Sequence, residues 1–177
     1  MQKPFIIVIG GPNGVGKSTF ARWYLEGYPE CVGIIDPDAI RRDLHDVPEP
    51  QRNIAAGRLA LHHIDTLITS RKSFAIESTL SGVTLVRRLA DARRSGYTIL
   101  LCVLLVRSVD VTMARVYLRF IMGGHMIAIA DQQRRFDRSY RNFRSYYIEV
   151  CHEWTLYDAE QHPPKLIEQG CGGFAPL

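Results

Sequence analysis

The segment Gly11-Pro12-Asn13-Gly14-Val15-Gly16-Lys17-Ser18 has the spacing G-x-x-x-x-G-K-S. Loops of this form cradle phosphate oxygens with successive backbone N–H groups and a helix N-terminus. Gly11 to Thr19 is therefore the candidate nucleotide-binding segment, comprising Gly11, Pro12, Asn13, Gly14, Val15, Gly16, Lys17, Ser18 and Thr19. Lys17 is placed to reach the β- and γ-phosphates of ATP, and the Ser18 hydroxyl to coordinate Mg²⁺. Three further groups could act on a phosphoryl held there. Asp36 and Asp38 follow an apolar run, and either carboxylate could take the proton of an acceptor hydroxyl. Asp38 could equally cap the helix that follows. Glu77 closes a second apolar run, Phe74-Ala75-Ile76, where an acid can serve a Mg²⁺ shell or a substrate hydroxyl. Arg115 and Arg119 stand four residues apart, on one face of a helix, and could bring guanidinium charge to a transferring phosphoryl.

The elements that must position these groups can be read from hydrophobic periodicity. Phe5-Ile6-Ile7-Val8-Ile9 is a continuous apolar run suited to a strand buried on both faces. It feeds the glycine-rich loop, and the stretch from Thr19 to Glu26 leaves it as a helix with Phe20, Trp23 and Tyr24 on one face. Strands are expected at residues 5–10, 31–35, 73–78, 97–106 and 153–157, with helical segments between them. That alternation predicts an α/β fold, a parallel five-stranded sheet flanked by helices. Residues 50–70 read as a helix whose apolar face is Ile54, Leu59, Leu61, Ile64, Leu67 and Ile68. A helix over 110–122 ends at Gly123-Gly124, and a long helix from about 131 to 151 carries Phe136, Tyr140, Phe143 and Tyr147 as one stripe.

Composition narrows the class. The 177 residues, 46% hydrophobic and 23% charged, match one ordinary globular domain. Cys31, Cys102, Cys151 and Cys171 are scattered without C-x-x-C spacing, against a zinc site or a disulfide scaffold. Cys31 and Cys102 read as small core residues. No run approaches the roughly 18 apolar residues of a membrane span, and the first apolar stretch is too short for a signal peptide, so a cytoplasmic location and no membrane partner are expected. Net charge is +4, carried by 22 basic residues of which all but four are arginine. The stretch from Arg115 to Arg144 is the most basic, and reads as a helix face and phosphate lid; specific nucleic-acid binding is not expected.

The glycine-rich loop, Ile35-Asp36-Pro37-Asp38-Ala39-Ile40-Arg41, Glu77-Ser78-Thr79-Leu80-Ser81-Gly82, Ala114-Arg115-Val116 and Gly123-Gly124-His125 follow one another as in small zeta-toxin-like P-loop kinases. The Arg134–Ser139 stretch, Asn142 and the 153–158 run resemble the same group. The resemblance covers about residues 4–170 and implies an adenylate-kinase-like P-loop NTPase fold, one domain over 1–177 with a helical lid at about 110–135. It implies ATP and Mg²⁺ as cofactors, and phosphoryl transfer to a hydroxyl of a UDP-linked amino sugar such as UDP-N-acetylglucosamine, with an antitoxin protein as partner. By position, Lys17, Asp38, Arg115 and Arg119 are the implied catalytic residues, with Asp38 as base. Asp36, Arg41, Glu77, Thr79 and Arg134 are the implied acceptor contacts, and Ser18 the metal ligand. A kinase for another small acceptor, or an NTP-dependent switch or nucleic-acid-binding module, are the alternatives. The carboxylates Asp36, Asp38 and Glu77 favour a kinase, since they would repel a phosphate backbone.

Overall fold

The computed structural model describes residues 3–122 and 128–173. Six strands form one sheet: β1 (Phe5–Gly10), β2 (Cys31–Ile35), β3 (Ser73–Ser78), β4 (Thr98–Leu105), β5 (Glu153–Asp158) and β6 (Lys165–Cys171). Their spatial order is β2-β3-β1-β4-β5-β6. The first five run parallel, and β6 returns antiparallel to β5. The five expected strands are all present, and the sheet has one more than the sequence announced. The sixth escaped because Lys165-Leu166-Ile167-Glu168-Gln169 has no buried apolar run. It lies exposed along an edge, held to β5 by its ladder and to the body by Arg144, which pairs with Glu168.

Helices cover both faces: α1 (Lys17–Tyr24), α2 (Pro37–Asp43), α3 (Glu49–Thr69), α4 (Thr84–Arg94), α5 (Val109–Ile121) and α6 (Ile129–Asn142). Two apolar cores result, as a sheet buried on both sides requires. One places Ile6, Val8, Phe74 and Ile76 against α3 and α4; the other places Ile7, Ile9, Ala75 and Cys102 against α1. The β1 residues alternate between the two, the period-2 rule of a strand. β1 lies centrally between β3 and β4, so the loop leaving it emerges in the crevice beyond the strands' carboxyl ends, where open α/β sheets bind ligands.

Several sequence expectations need correction. The helix over 129–142 does not continue as an α-helix to 151: Phe143–Tyr147 is a π-helical turn, followed by a short α-turn at Ile148–Val150. The four aromatic residues do not form one stripe. Phe136 packs on the α1 side, Phe143 and Tyr147 pack on the opposite side of the sheet, and Tyr140 is 41% exposed. In α3 the residues buried most deeply are the small Ala56 and Ala60 with Ile64, whereas Ile54 and Leu59 face solvent. Cys102 is buried as expected; Cys31 opens the edge strand β2 and is only half-buried. The Gly123-Gly124 break and His125 lie outside the described residues. No helix among the described residues is long and apolar enough to cross a membrane.

Candidate active site

The glycine-rich loop turns sharply from β1 into α1. Gly14 has φ +80°, and a Cβ built there would lie 2.5 Å from the Thr112 carbonyl oxygen of α5. Only glycine fits both that conformation and that approach. At the start of α1 the capping position is Gly16, with no side chain closing the helix end. The N-terminal N–H groups of α1 therefore have no side-chain cap, the arrangement that suits phosphate binding.

Lys17 folds back so that Nζ donates to the carbonyl oxygens of Gly11 and Pro12, both at 3.0 Å. Burial is the largest influence on its ammonium and lowers its pKa; the charges of Asp38, Glu77 and Asp36 oppose this, and Arg119 adds to the lowering. The field of Arg119 thus reaches the loop lysine. Its helical neighbour Arg115 does something different. Nη1 donates to Val15 O at 3.3 Å and Nη2 to Ala159 O at 3.1 Å, so the guanidinium ties the loop to the segment after β5.

The acids approach from the other side. Register pairs Ile9 with Glu77 and Gly10 with Ser78, which brings the end of β3 beside the root of the loop. The Ser18 hydroxyl donates to Glu77 Oε2 at 3.0 Å, and Glu77 is 5% exposed. That burial, the largest cause, raises the Glu77 pKa above the usual carboxylate value; Asp36 and Asp38 push the same way, while Lys17 and the Ser18 hydrogen bond oppose it. The hard oxygens of Ser18 and Glu77 suit Mg²⁺, which takes few protein ligands and completes its shell from substrate phosphates and water. Consistently, no cluster of three or more His, Cys, Asp or Glu side chains among the described residues could cage a metal alone.

The helix cap belongs to Asp36, not to Asp38. Asp36 Oδ1 accepts the Asp38 N–H at 2.9 Å, Pro37 occupies the first helical position, and Asp38 lies in the first turn of α2. Asp38 is thereby spared the capping role. Its Oδ2 accepts from Asn13 Nδ2 at 3.4 Å, and Asn13 Oδ1 accepts from Arg135 Nη1 at 3.3 Å. Asn13, 3% exposed, so links α2, the loop and α6.

Beside these groups opens a cavity of about 420 Å³. Lys17, Asp36, Asp38, Arg41, Glu77 and Thr79 all line it, together with Arg134, Arg135 and Arg138 from α6. Its apolar wall comes from Ala56, Ala60, Leu61 and Ile64 of α3, with Ile76 and Leu85. The structure therefore brings the implied acceptor residues into one place, while Arg115 lies apart from that cavity's lining. Arg41 is 8% exposed and pairs with Glu49, and its Nε donates to Asn53 Oδ1 at 2.9 Å. Arg134 donates to Asp131 at 2.7 Å, whereas its neighbour Arg135 reaches the nucleotide loop. Thr79 and Ser81 join their hydroxyls at 2.8 Å.

The turn carrying that hydroxyl pair could not be read from the sequence. Leu80, fully buried, adopts φ +56°, a rare conformation for a bulky residue. Asn142 Nδ2 donates to Leu80 O at 2.8 Å, and Tyr147 O–H to Gly82 O at 2.8 Å. The last residue of α6 and the π-helical turn that follows thus grip the loop together, and π-turns are frequent at functional sites. The Leu80 side chain lies against Gly10, where an added Cβ would come within 2.4 Å of it. Only the Leu-Ser-Gly run hinted at a special turn there.

A parallel sheet, a phosphate loop entering a helix, and carboxylates converging on that loop define a P-loop phosphotransferase. A sequence model of the zeta toxin family matches residues 1–154, and the chain belongs to that family. A Haemophilus influenzae protein described as uncharacterized is 33% identical over 118 residues, 67% of this chain and 82% of its own length. Among solved structures, one from the PezAT chromosomal toxin–antitoxin system of Streptococcus pneumoniae aligns with TM-score 0.74 at 18% identity, covering 96% of this chain and 72% of that one. A chain of the AvrRxo1-ORF1:-ORF2 structure with ATP aligns with TM-score 0.70 at 15% identity, covering 97% of this chain and 59% of that one. A gluconokinase from Sinorhizobium meliloti 1021 aligns with TM-score 0.55 at 19% identity, covering 91% and 86%. At these identities the structures show a shared fold.

Proposed function

We propose that this protein transfers the γ-phosphoryl of ATP to a hydroxyl of a sugar or nucleotide-sugar acceptor seated in the 420 Å³ cavity. The observation that carries this reading is that the cavity is lined by Lys17, Asp38 and Glu77 together. An acceptor there meets a base, a phosphate-binding lysine and a buried carboxylate at once. The new bond joins the acceptor oxygen to the γ-phosphorus as the bond to the β-bridging oxygen breaks. ADP departs with that electron pair, and Asp38 takes the hydroxyl proton. Lys17 exchanges its two carbonyl partners for phosphate oxygens, and Arg119 adds positive potential near the loop. Ser18, beside Glu77, would hold Mg²⁺, which supplies neutralisation of phosphate charge when bound.

UDP-N-acetylglucosamine is the first acceptor to test, on the strength of family membership. Family and fold also support a toxin restrained by an antitoxin, since the PezAT structure is of a toxin–antitoxin system. With ATP as donor, the reaction would run in the cytoplasm, where that nucleotide is abundant. The deciding experiment incubates the protein with [γ-³²P]ATP, Mg²⁺ and either UDP-N-acetylglucosamine or the small-molecule fraction of a bacterial extract. Label on a sugar nucleotide supports the reading. Label confined to inorganic phosphate in both arms overturns it.

A further inference from the structure

Gly57 stands in the interior of α3, a helix of 21 residues. Glycine there costs about 1 kcal/mol relative to alanine, and nothing in the packing requires it. Its φ is not in the left-handed region, and a Cβ built on it would meet no atom within 4 Å. Glycines kept for close helix approach show the opposite, as Gly14 does against Thr112. The open space beside Gly57 is the cavity of the candidate active site, which Gly57 itself lines. Two of the α3 side chains that line the same cavity are also short, Ala56 at 2% exposed and Ala60 at 4% exposed, while Asn53 and Leu61 stand one turn to either side of Gly57.

We propose that Gly57 is a specificity-determining residue of this enzyme, its missing side chain opening the α3 side of the cavity to an apolar-faced group of the acceptor. The inference rests on the reading of that cavity as the acceptor site. The chemistry of the occupant follows from the wall. Ala56, Ala60, Leu61, Ile64 and Ile76 offer no side-chain donor or acceptor, and the polar α3 residue of the lining, Asn53, has its Oδ1 engaged by Arg41, so the group packed there presents a carbon-rich face, such as one face of a ring. Charged and hydroxyl groups of the acceptor face the opposite kind of lining, at Asp38, Thr79 and Arg138. A side chain at position 57 would take the volume the apolar group needs, and the helix would accept that side chain without strain.

The test compares Gly57→Ala and Gly57→Leu with the native protein in the labelling assay, using UDP-N-acetylglucosamine and the small-molecule extract as probes. Melting temperature and ATP titration are measured alongside. Gly57→Leu raises the acceptor KM by at least roughly 10- to 200-fold, the range in which a single methylene group of misfit discriminates in an apolar pocket. Its ATP Kd stays native and its melting temperature does not fall. Gly57→Ala raises the melting temperature and gives a smaller rise in KM, so the result stands on this variant if the leucine form folds poorly. A native acceptor KM in both variants overturns the inference. Thr79→Ala and Arg138→Ala separate the two levels of the argument. If these raise the acceptor KM and the Gly57 variants do not, the cavity is the acceptor site and Gly57 does not set its selectivity. If none of the four changes KM, or the native protein labels no acceptor, the acceptor reading has failed and this inference falls with it.

Discussion

The nucleotide side and the acceptor side of this site are built on different principles. The phosphate loop is contiguous, and its working groups are backbone N–H, one lysine and one hydroxyl, fixed by glycines that have no freedom to change. The cavity proposed to hold the acceptor draws on α2, α3, the end of β3 and α6, and its shape is set by side chains. The loop is thus a rigid device for a ligand shared by many enzymes. The cavity is an assembly in which single residues can alter what is bound without disturbing the fold. Gly14 and Gly57 show the contrast in one residue type: an added Cβ meets backbone at 2.5 Å in the first and open space in the second.

The largest effect is expected on the nucleotide side. Lys17→Met removes the phosphate-reaching ammonium and should lower phosphoryl transfer by at least about 10²-fold, as for loss of a preorganised charge. Lys17 donates to two carbonyls of its own loop, so the melting temperature should stay close to native. Single-turnover rates and a thermal melt check both halves of that statement. A large loss of stability would mean the lysine is structural.

Next comes the grip of the α6 end on the proposed acceptor loop. Asn142→Ala leaves the buried Leu80 carbonyl without its donor, at a cost of about 1–3 kcal/mol. Because Leu80 sits between Thr79 and Ser81, acceptor KM should rise while the ATP Kd, measured by calorimetric titration, holds. Equal damage to both would show that the two sides are not separable.

A smaller effect is expected at the α2 cap. Asp36→Ala should cost about 1 kcal/mol, a fall of roughly 2–4 °C in melting temperature for a chain of this size. Asp36→Asn should retain most of it.

The smallest effect lies at the other end of the sheet and should leave both sides of the site alone. His152 Nδ1 accepts the Ile99 N–H at 3.0 Å at the amino ends of β4 and β5. Burial, with Arg93 and Lys3 nearby, lowers its pKa below the usual value of 6.5. The unfolded chain therefore binds the proton more readily, so stability is full above about pH 6.5 and falls as pH drops through that value. Denaturant midpoints at pH 7.5 and pH 5.5 should differ more in the native protein than in His152→Gln, with ATP affinity equal in the two.

Legibility divides along the same line as the chemistry. The strand, loop and helix of the nucleotide side are local, so periodicity and the glycine spacing were enough to read them. Asp38 and Glu77 could be nominated because each stands at or just past the end of an apolar run, and Thr79 through the family resemblance; the parallel order of β1 and β3 then sets Glu77 beside Ser18. The cap at Asp36 was readable in type and misassigned by two residues, since Asp-Pro-Asp offers two candidates and Pro37 at the first helical position decides between them. The π-helical turn could not be seen, because a stretch such as Phe-Arg-Ser-Tyr-Tyr carries the same periodic signal as an α-helix. Arg135, Gly57 and Ser81 owe their place to tertiary packing, which no spacing along the chain reports. β6 was missed because an exposed edge strand needs no apolar pattern.

The most direct test of the account is Asp38→Asn, because the account gives that side chain chemistry and gives the neighbouring Asp36 the cap. Single-turnover transfer from [γ-³²P]ATP to the acceptor should fall by at least about 10²-fold, while the melting temperature and the ATP Kd remain native. A native transfer rate in Asp38→Asn would contradict the account and remove Asp38 from the proton transfer.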